Sequence, residues 1–155
     1  MILSPLPCTK NLLGQWVPPV ITQHFSENPD AYKKFGIEGH NGLDLRAKTP
    51  LRIYAPFEGT CTVENKGAYG LHIIIQNERL KTILAHLSSV EVQTGTVVKL
   101  GEPIGMTGNS GNSLAPHLHQ SLIPMNGSVP KHSKNGYNGC VDFEPFLIYW
   151  IPYIS

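Results

Sequence analysis

Gly59-Thr-Cys-Thr-Val-Glu64, Asn65-Lys-Gly-Ala-Tyr-Gly70, Leu71-His-Ile-Ile-Ile-Gln76, Asn77-Glu78-Arg79 and Leu80-Lys-Thr-Ile-Leu-Ala-His-Leu87 follow one another without interruption. The first segment is β-branched and bounded by glycine, the second has turn chemistry, and the third is the most apolar strand candidate in the chain. Asn77-Glu78-Arg79 closes a hairpin into the last segment. Sequential strands joined by tight turns predict antiparallel pairing and a mainly β fold.

Downstream, Val97-Val98-Lys99 and Pro103-Ile104-Gly105 read as short strands around a turn. The polar loop Thr107–Ser113 then delivers the chain to Pro116 and an extended His117-Leu118-His119. Residues 126–139 read as a polar, flexible surface loop, and Phe143–Tyr153 as an apolar, aromatic C-terminal strand or cap. Upstream, Arg52–Ala55 is a strand, and Ser26-Glu-Asn-Pro-Asp30 has the small polar residues, proline and acids of a helix start. The turn of helix over Ala31–Phe35 ends at Gly36, a plausible C′ residue. Val20–Phe25 is a candidate strand, and residues 1–19 are a proline-rich, irregular lead-in. No repeat or linker divides the chain, so residues 1–155 are expected to form one domain.

Composition narrows the function classes. Charged residues are 15% while glycine (15) and proline (13) are frequent, which favours short strands and turns over long helices. A formal net charge of +1 gives no basis for wrapping nucleic acid. Cys8, Cys61 and Cys140 form no CxxC pair, which argues against a thiolate zinc site and a disulfide framework. No apolar run approaches the roughly 20 residues of a membrane span, so no membrane insertion is expected. Met1–Lys10 lacks a charged n-region and a continuous apolar core, so no secretory signal peptide is expected there.

Seven histidines are more than a domain of this size needs, and their placement suggests metal chemistry. His117 and His119 share one side of a strand, roughly 6.6–6.8 Å apart along it. That spacing suits one histidine on a metal and the other beside it, and by itself allows either order. His40 and Asp44 in Gly39-His-Asn-Gly-Leu-Asp44 would share a helical face, but two glycines and the lack of an apolar stripe argue against helix. On a straight strand their Cα atoms would be roughly 13 Å apart, too far to share an ion. The chain is therefore expected to bend between them at Gly42. With His86, the set offers enough donors for a three-ligand hydrolytic zinc site with histidines to spare. No HExxH supplies a glutamate base, which makes histidine the expected proton acceptor.

His40-x-Gly-x-Asp44, Ala85-His86-Leu87 and His117-x-His119, with Val98–Gly111 before Pro116, together resemble the M23 peptidases, the lysostaphin and LytM-type zinc endopeptidases. The resemblance covers roughly residues 20–122. It implies an antiparallel β-sheet with an open groove and short helical or irregular additions. It implies Zn2+ held by His40, Asp44 and His119, with His86 and His117 as catalytic histidines. It also implies hydrolysis of peptide bonds in bacterial peptidoglycan, in stem peptides or cross-bridges. Leu84 and Gln120-Ser121 depart from the aromatic and acidic residues the family often carries there. His24, His72 and His132 read as packing or solvated residues, with His72 facing solvent, and the Asn109–Ser113 loop reads as a turn or a groove wall.

A catalytically silent LytM-like binding or regulatory domain is the alternative on the same fold, and the five intact His and Asp positions argue against it. A phosphocarrier-type β domain with paired histidines gives Asp44 no role. A lone catalytic domain without a leader or wall anchor is expected to reach the cell wall by a phage virion or tail, as an endolysin or virion-associated enzyme, or by a non-Sec route.

Overall fold

The computed structural model describes residues 1–48 and 50–152. The chain opens with β1 (Ile2–Leu3) and a hairpin of β2 (Thr9–Lys10) and β3 (Trp16–Val17), then β4 (Ile21–Gln23). The lead-in expected to be irregular thus contains three short strands, and it packs across the fold through the buried Ile2 and Leu6. A single helical turn, α1 (Pro29–Tyr32), has proline at the start of the helix and runs into a 3₁₀ turn over Lys33–Phe35. Gly36, at φ +73°, ends it as expected.

Then follow β5 (Leu43–Arg46), β6 (Arg52–Tyr54), β7 (Gly59–Lys66), β8 (Gly70–Gln76), β9 (Leu80–Ala85), β10 (Leu87–Val90), β11 (Val97–Val98), β12 (Pro103–Thr107), β13 (His117–Asn126), β14 (Val129–Pro130) and β15 (Leu147–Ile148). The main sheet runs β11-β7-β8-β9-β13-β5-β4, with β14 also paired to β13, and all its pairs are antiparallel. A second antiparallel sheet runs β10-β12-β6. The fold is therefore mainly β and antiparallel. The parallel pairing of β1 with β15 closes the ends of the chain together. Tyr153, the end of the expected C-terminal segment, lies outside the described residues.

The expected strand over residues 80–87 is broken. His86 adopts φ +64°, and the chain turns there from the main sheet into the second one. The sheets share one apolar core, with Leu45, Ile73, Leu84 and Leu118 from the first meeting Ile53, Leu87 and Ile104 from the second. Burying a side chain of this kind contributes about 1.5–3 kcal/mol. Period-two alternation along β13 puts Leu118 and Leu122 in that core and His117 and His119 on the opposite face. A smaller cluster of Ile123, Met125 and Cys140, covered by Phe25 and Tyr137, anchors the two ends of the segment 126–139, most of whose residues are exposed.

Candidate metal and catalytic site

Cross-strand pairing assembles the site. Asp44 on β5 stands opposite His119 on β13, and His119 also faces Ala85 on β9. His40 enters from the bend before β5, where Gly42 passes so close to β13 that a Cβ would lie 2.3 Å from the Gln120 carbonyl oxygen and 2.7 Å from the His119 ring. The bend is where the sequence places it, and the reason for glycine is space against a neighbouring strand.

Three donor atoms converge. His40 Nε2 lies 3.0 Å from His119 Nδ1 and 3.1 Å from Asp44 Oδ1, and His119 Nδ1 lies 3.0 Å from the same oxygen. All three residues are buried. The His40 Nδ1 proton is donated to the His24 carbonyl at 3.0 Å, which leaves the His40 Nε2 lone pair facing the carboxylate. Lone pairs so close repel unless a proton or cation lies among them. In a tetrahedral zinc centre, donor atoms are about 3.3 Å apart, so a small expansion of the triangle fits an ion of that size. The donor chemistry, two imidazoles and one carboxylate, suits a divalent metal.

The electrostatics agree. Burial alone would raise the Asp44 carboxyl, but the His119 and His40 imidazoles within 3.1 Å of Oδ1 outweigh it and hold the group ionised, well below the usual carboxylate range. Burial lowers the His119 imidazole despite the neighbouring carboxylate, favouring the neutral form that binds metals.

His86 and His117 sit beside the triangle with ring centroids 4.7 Å apart. The His86 Nδ1 proton goes to the Ser110 carbonyl at 2.8 Å and that of His117 to the Ala115 carbonyl at 2.8 Å. Both Nε2 atoms therefore carry lone pairs, and that of His117 lies 3.6 Å from Asp44 Oδ2. Burial pushes the His86 imidazole down to about 4. The Asn109–Ser113 loop both lines the groove and braces it: the Ser110 hydroxyl donates to the Leu87 carbonyl and accepts the Leu71 N–H, while its carbonyl holds His86.

All five residues singled out in the sequence thus meet at one place, in an open groove of about 1170 Å³. His72 does not face solvent. It is 3% exposed, lines the groove wall, and contacts the Gly70 carbonyl and Glu64. His24 contributes its carbonyl, while its ring pairs with Glu144 outside the groove. Sequence reasoning missed Tyr69 and Tyr32, whose rings stand 5.5 Å from His119 and His40, and Arg46, opposite His117.

Comparison with known proteins agrees with this geometry. The description of peptidase family M23 matches residues 38–136. The chain is 33% identical over 107 residues to the peptidoglycan DD-endopeptidase ShyA of Vibrio cholerae, covering 59% of this chain and 25% of that protein. It is 37% identical over 100 residues to the DD-carboxypeptidase/endopeptidase Mpg of Neisseria gonorrhoeae, covering 59% and 23%. The chain therefore spans about a quarter of the length of these curated relatives. The solved structure of LytU superposes with a TM-score of 0.64 at 27% identity, over 84% of this chain and 85% of that one. A catalytic-domain variant of the prophage-encoded M23 protein EnpA from Enterococcus faecalis gives 0.63 at 26% identity, over 89% and 94%.

Proposed function

Because the chain belongs to peptidase family M23, we propose that it is a zinc-dependent endopeptidase that hydrolyses peptide bonds in bacterial peptidoglycan, in stem peptides or their cross-bridges. The observation that carries this reading is the triangle of His40 Nε2, Asp44 Oδ1 and His119 Nδ1 beside two further imidazoles with bare Nε2 atoms. His40, Asp44 and His119 would hold the zinc, which supplies a Lewis acid that polarises the scissile carbonyl and acidifies water.

The protein's own groups then move the protons. One of His86 and His117 accepts the proton of the attacking water at Nε2 and becomes an imidazolium. Its new N–H faces the groove, because Nδ1–H is already committed to a backbone carbonyl. That N–H stabilises the developing oxyanion or passes the proton to the leaving amine. The His117 ring, 4.7 Å away, disfavours the charged form of His86. Tyr69 and Tyr32 back the metal-binding imidazoles and limit their rotation.

The silent-domain alternative is disfavoured by the presence of all five polar residues. Likeness to prophage-encoded EnpA supports a phage lysin setting, and likeness to the Vibrio and Neisseria enzymes a bacterial one; the chemistry is the same in both. Mass spectrometry of purified muropeptides after digestion, with and without EDTA, tests the reading. Cleavage that EDTA abolishes and zinc restores is expected, and intact muropeptides in the presence of zinc would overturn it.

A further inference from the structure

Strand parity carries the polar face of β5 beyond its metal ligand. Asp44 faces His119, and two residues on, Arg46 faces His117. Directly opposed residues have Cβ atoms about 4.5–5.5 Å apart, and successive rungs on one face are about 6.6–6.8 Å apart. Arg46 therefore stands one rung from the metal triangle, beside the histidine that flanks it, and it lines the same groove. Lys48, in the bend just after the strand, lines it too.

The surrounding charges leave these cations available. Among the described residues, Arg46 and Lys48 make no ion pair, whereas Lys66 on the far wall pairs with Glu64 at 3.0 Å and Lys33 pairs with Asp30 at 2.6 Å. The acids that line the groove are already engaged: Asp44 in the metal triangle with His40 and His119, and Glu64 with Lys66 and His72. Among the described residues, the guanidinium and ammonium on this wall of the groove meet no carboxylate. A planar, five-donor guanidinium matches a carboxylate in bidentate geometry.

We propose that Arg46, assisted by Lys48, forms a carboxylate-binding subsite, so that the preferred substrate is an acidic peptide with a free carboxylate one or two residues from the scissile bond. This rests on the peptidase reading above and sharpens it. Stem peptides whose acidic residues are unamidated carry such a group, and oligoglycine bridges do not. Arg46 acts here as a specificity-determining residue, outside the proton transfers.

The test uses a matched pair of cross-linked muropeptides, identical except that the stem carboxylates are free in one and amidated in the other. The wild-type, zinc-loaded protein is expected to favour the free form by about tenfold or more in kcat/KM, as a charge-assisted bond of this kind allows. In Arg46→Gln that ratio falls toward one, chiefly through a higher KM for the free form; Arg46→Lys retains part of it, and Lys48→Gln loses less. Equal cleavage of the two forms by the wild-type protein overturns the proposal alone, without recourse to any variant. So does a wild-type preference that Arg46→Gln leaves intact. Failure to cleave either form overturns the peptidase reading and the subsite with it.

Discussion

Nδ1 of His119 lies 3.0 Å from Oδ1 of Asp44, on one cross-strand rung between β13 and β5. Two of the three proposed ligands are thus set by the hydrogen bonding of the sheet itself, and the third, His40, is brought in by the bend at Gly42.

The division of labour on β13 gives the first prediction. His119→Ala and Asp44→Asn are expected to leave the purified protein without bound zinc, whereas His117→Ala keeps about one zinc per chain and loses about a hundredfold or more in hydrolysis rate. Elemental analysis after dialysis, set beside muropeptide cleavage, separates the two effects. Equal zinc content in the His117 and His119 variants would show the assignment within the pair to be wrong.

Gly42 gives the second. A methyl group at 2.3 Å from the Gln120 oxygen and 2.7 Å from the His119 ring cannot be accommodated without moving β5 from β13. Gly42→Ala should lower stability by about 2 kcal/mol or more and weaken zinc affinity with it. Thermal unfolding and zinc titration by calorimetry are the measurements. A variant with wild-type values in both would contradict the close approach.

His86 makes the metal-free protein sensitive to mild acid. Its folded-state value of about 4 lies below the ordinary 6.5, chiefly because burial disfavours the charged ring. Between those values the unfolded chain binds a proton that the folded one refuses. Stability is therefore complete above pH 6.5 and falls as pH drops toward 4, with a slope of up to about 1.4 kcal/mol per pH unit for one proton. His119, lowered for the same reason, acts in the same direction. Asp44, also lowered, keeps its stabilising contribution throughout this window and loses it only as pH falls below the ordinary carboxylate range. Unfolding of the EDTA-treated protein at pH 7.5 and 5 should show a drop in Tm that His86→Asn reduces; asparagine tolerates the left-handed backbone at φ +64°.

Gln120 offers a gain in stability. Its side-chain amide is buried on the core face of β13 with neither Nε2 nor Oε1 hydrogen-bonded. An apolar residue of similar length removes that desolvation cost, so Gln120→Met is expected to stabilise by about 1 kcal/mol, or roughly 3 °C in Tm. A lower Tm would mean that the amide has a partner in solution.

How far the sequence reached can be seen residue by residue. Alternation along β13 predicted which side His117 and His119 share, because a period of two leaves no freedom. The His40–Asp44 bend was legible because two ligands on a straight strand could not meet. The corner at His86 was not: neither glycine nor proline marks it, and its left-handed backbone is sustained by bonds from its N–H to Tyr69 and from its ring to Ser110. His72, in the most apolar strand, reads from the sequence as solvent-facing. It does leave the core, but Tyr69 and Glu64 cover it on the other side. Arg46 was missed although its parity with Asp44 was available; no short motif draws attention to a cation two residues beyond a ligand.

The protons of His40, His86 and His117 are all committed to peptide carbonyls, those of His24, Ser110 and Ala115. Peptide oxygens are present whatever side chain a residue carries. No single substitution at residues 24, 110 or 115 deletes the acceptor that fixes these tautomers, whereas an insertion or deletion in the segments that carry them displaces it. The site is therefore buffered against point mutation and exposed to changes in loop length. Directed evolution of this scaffold should tolerate residue diversity in those segments far better than length diversity.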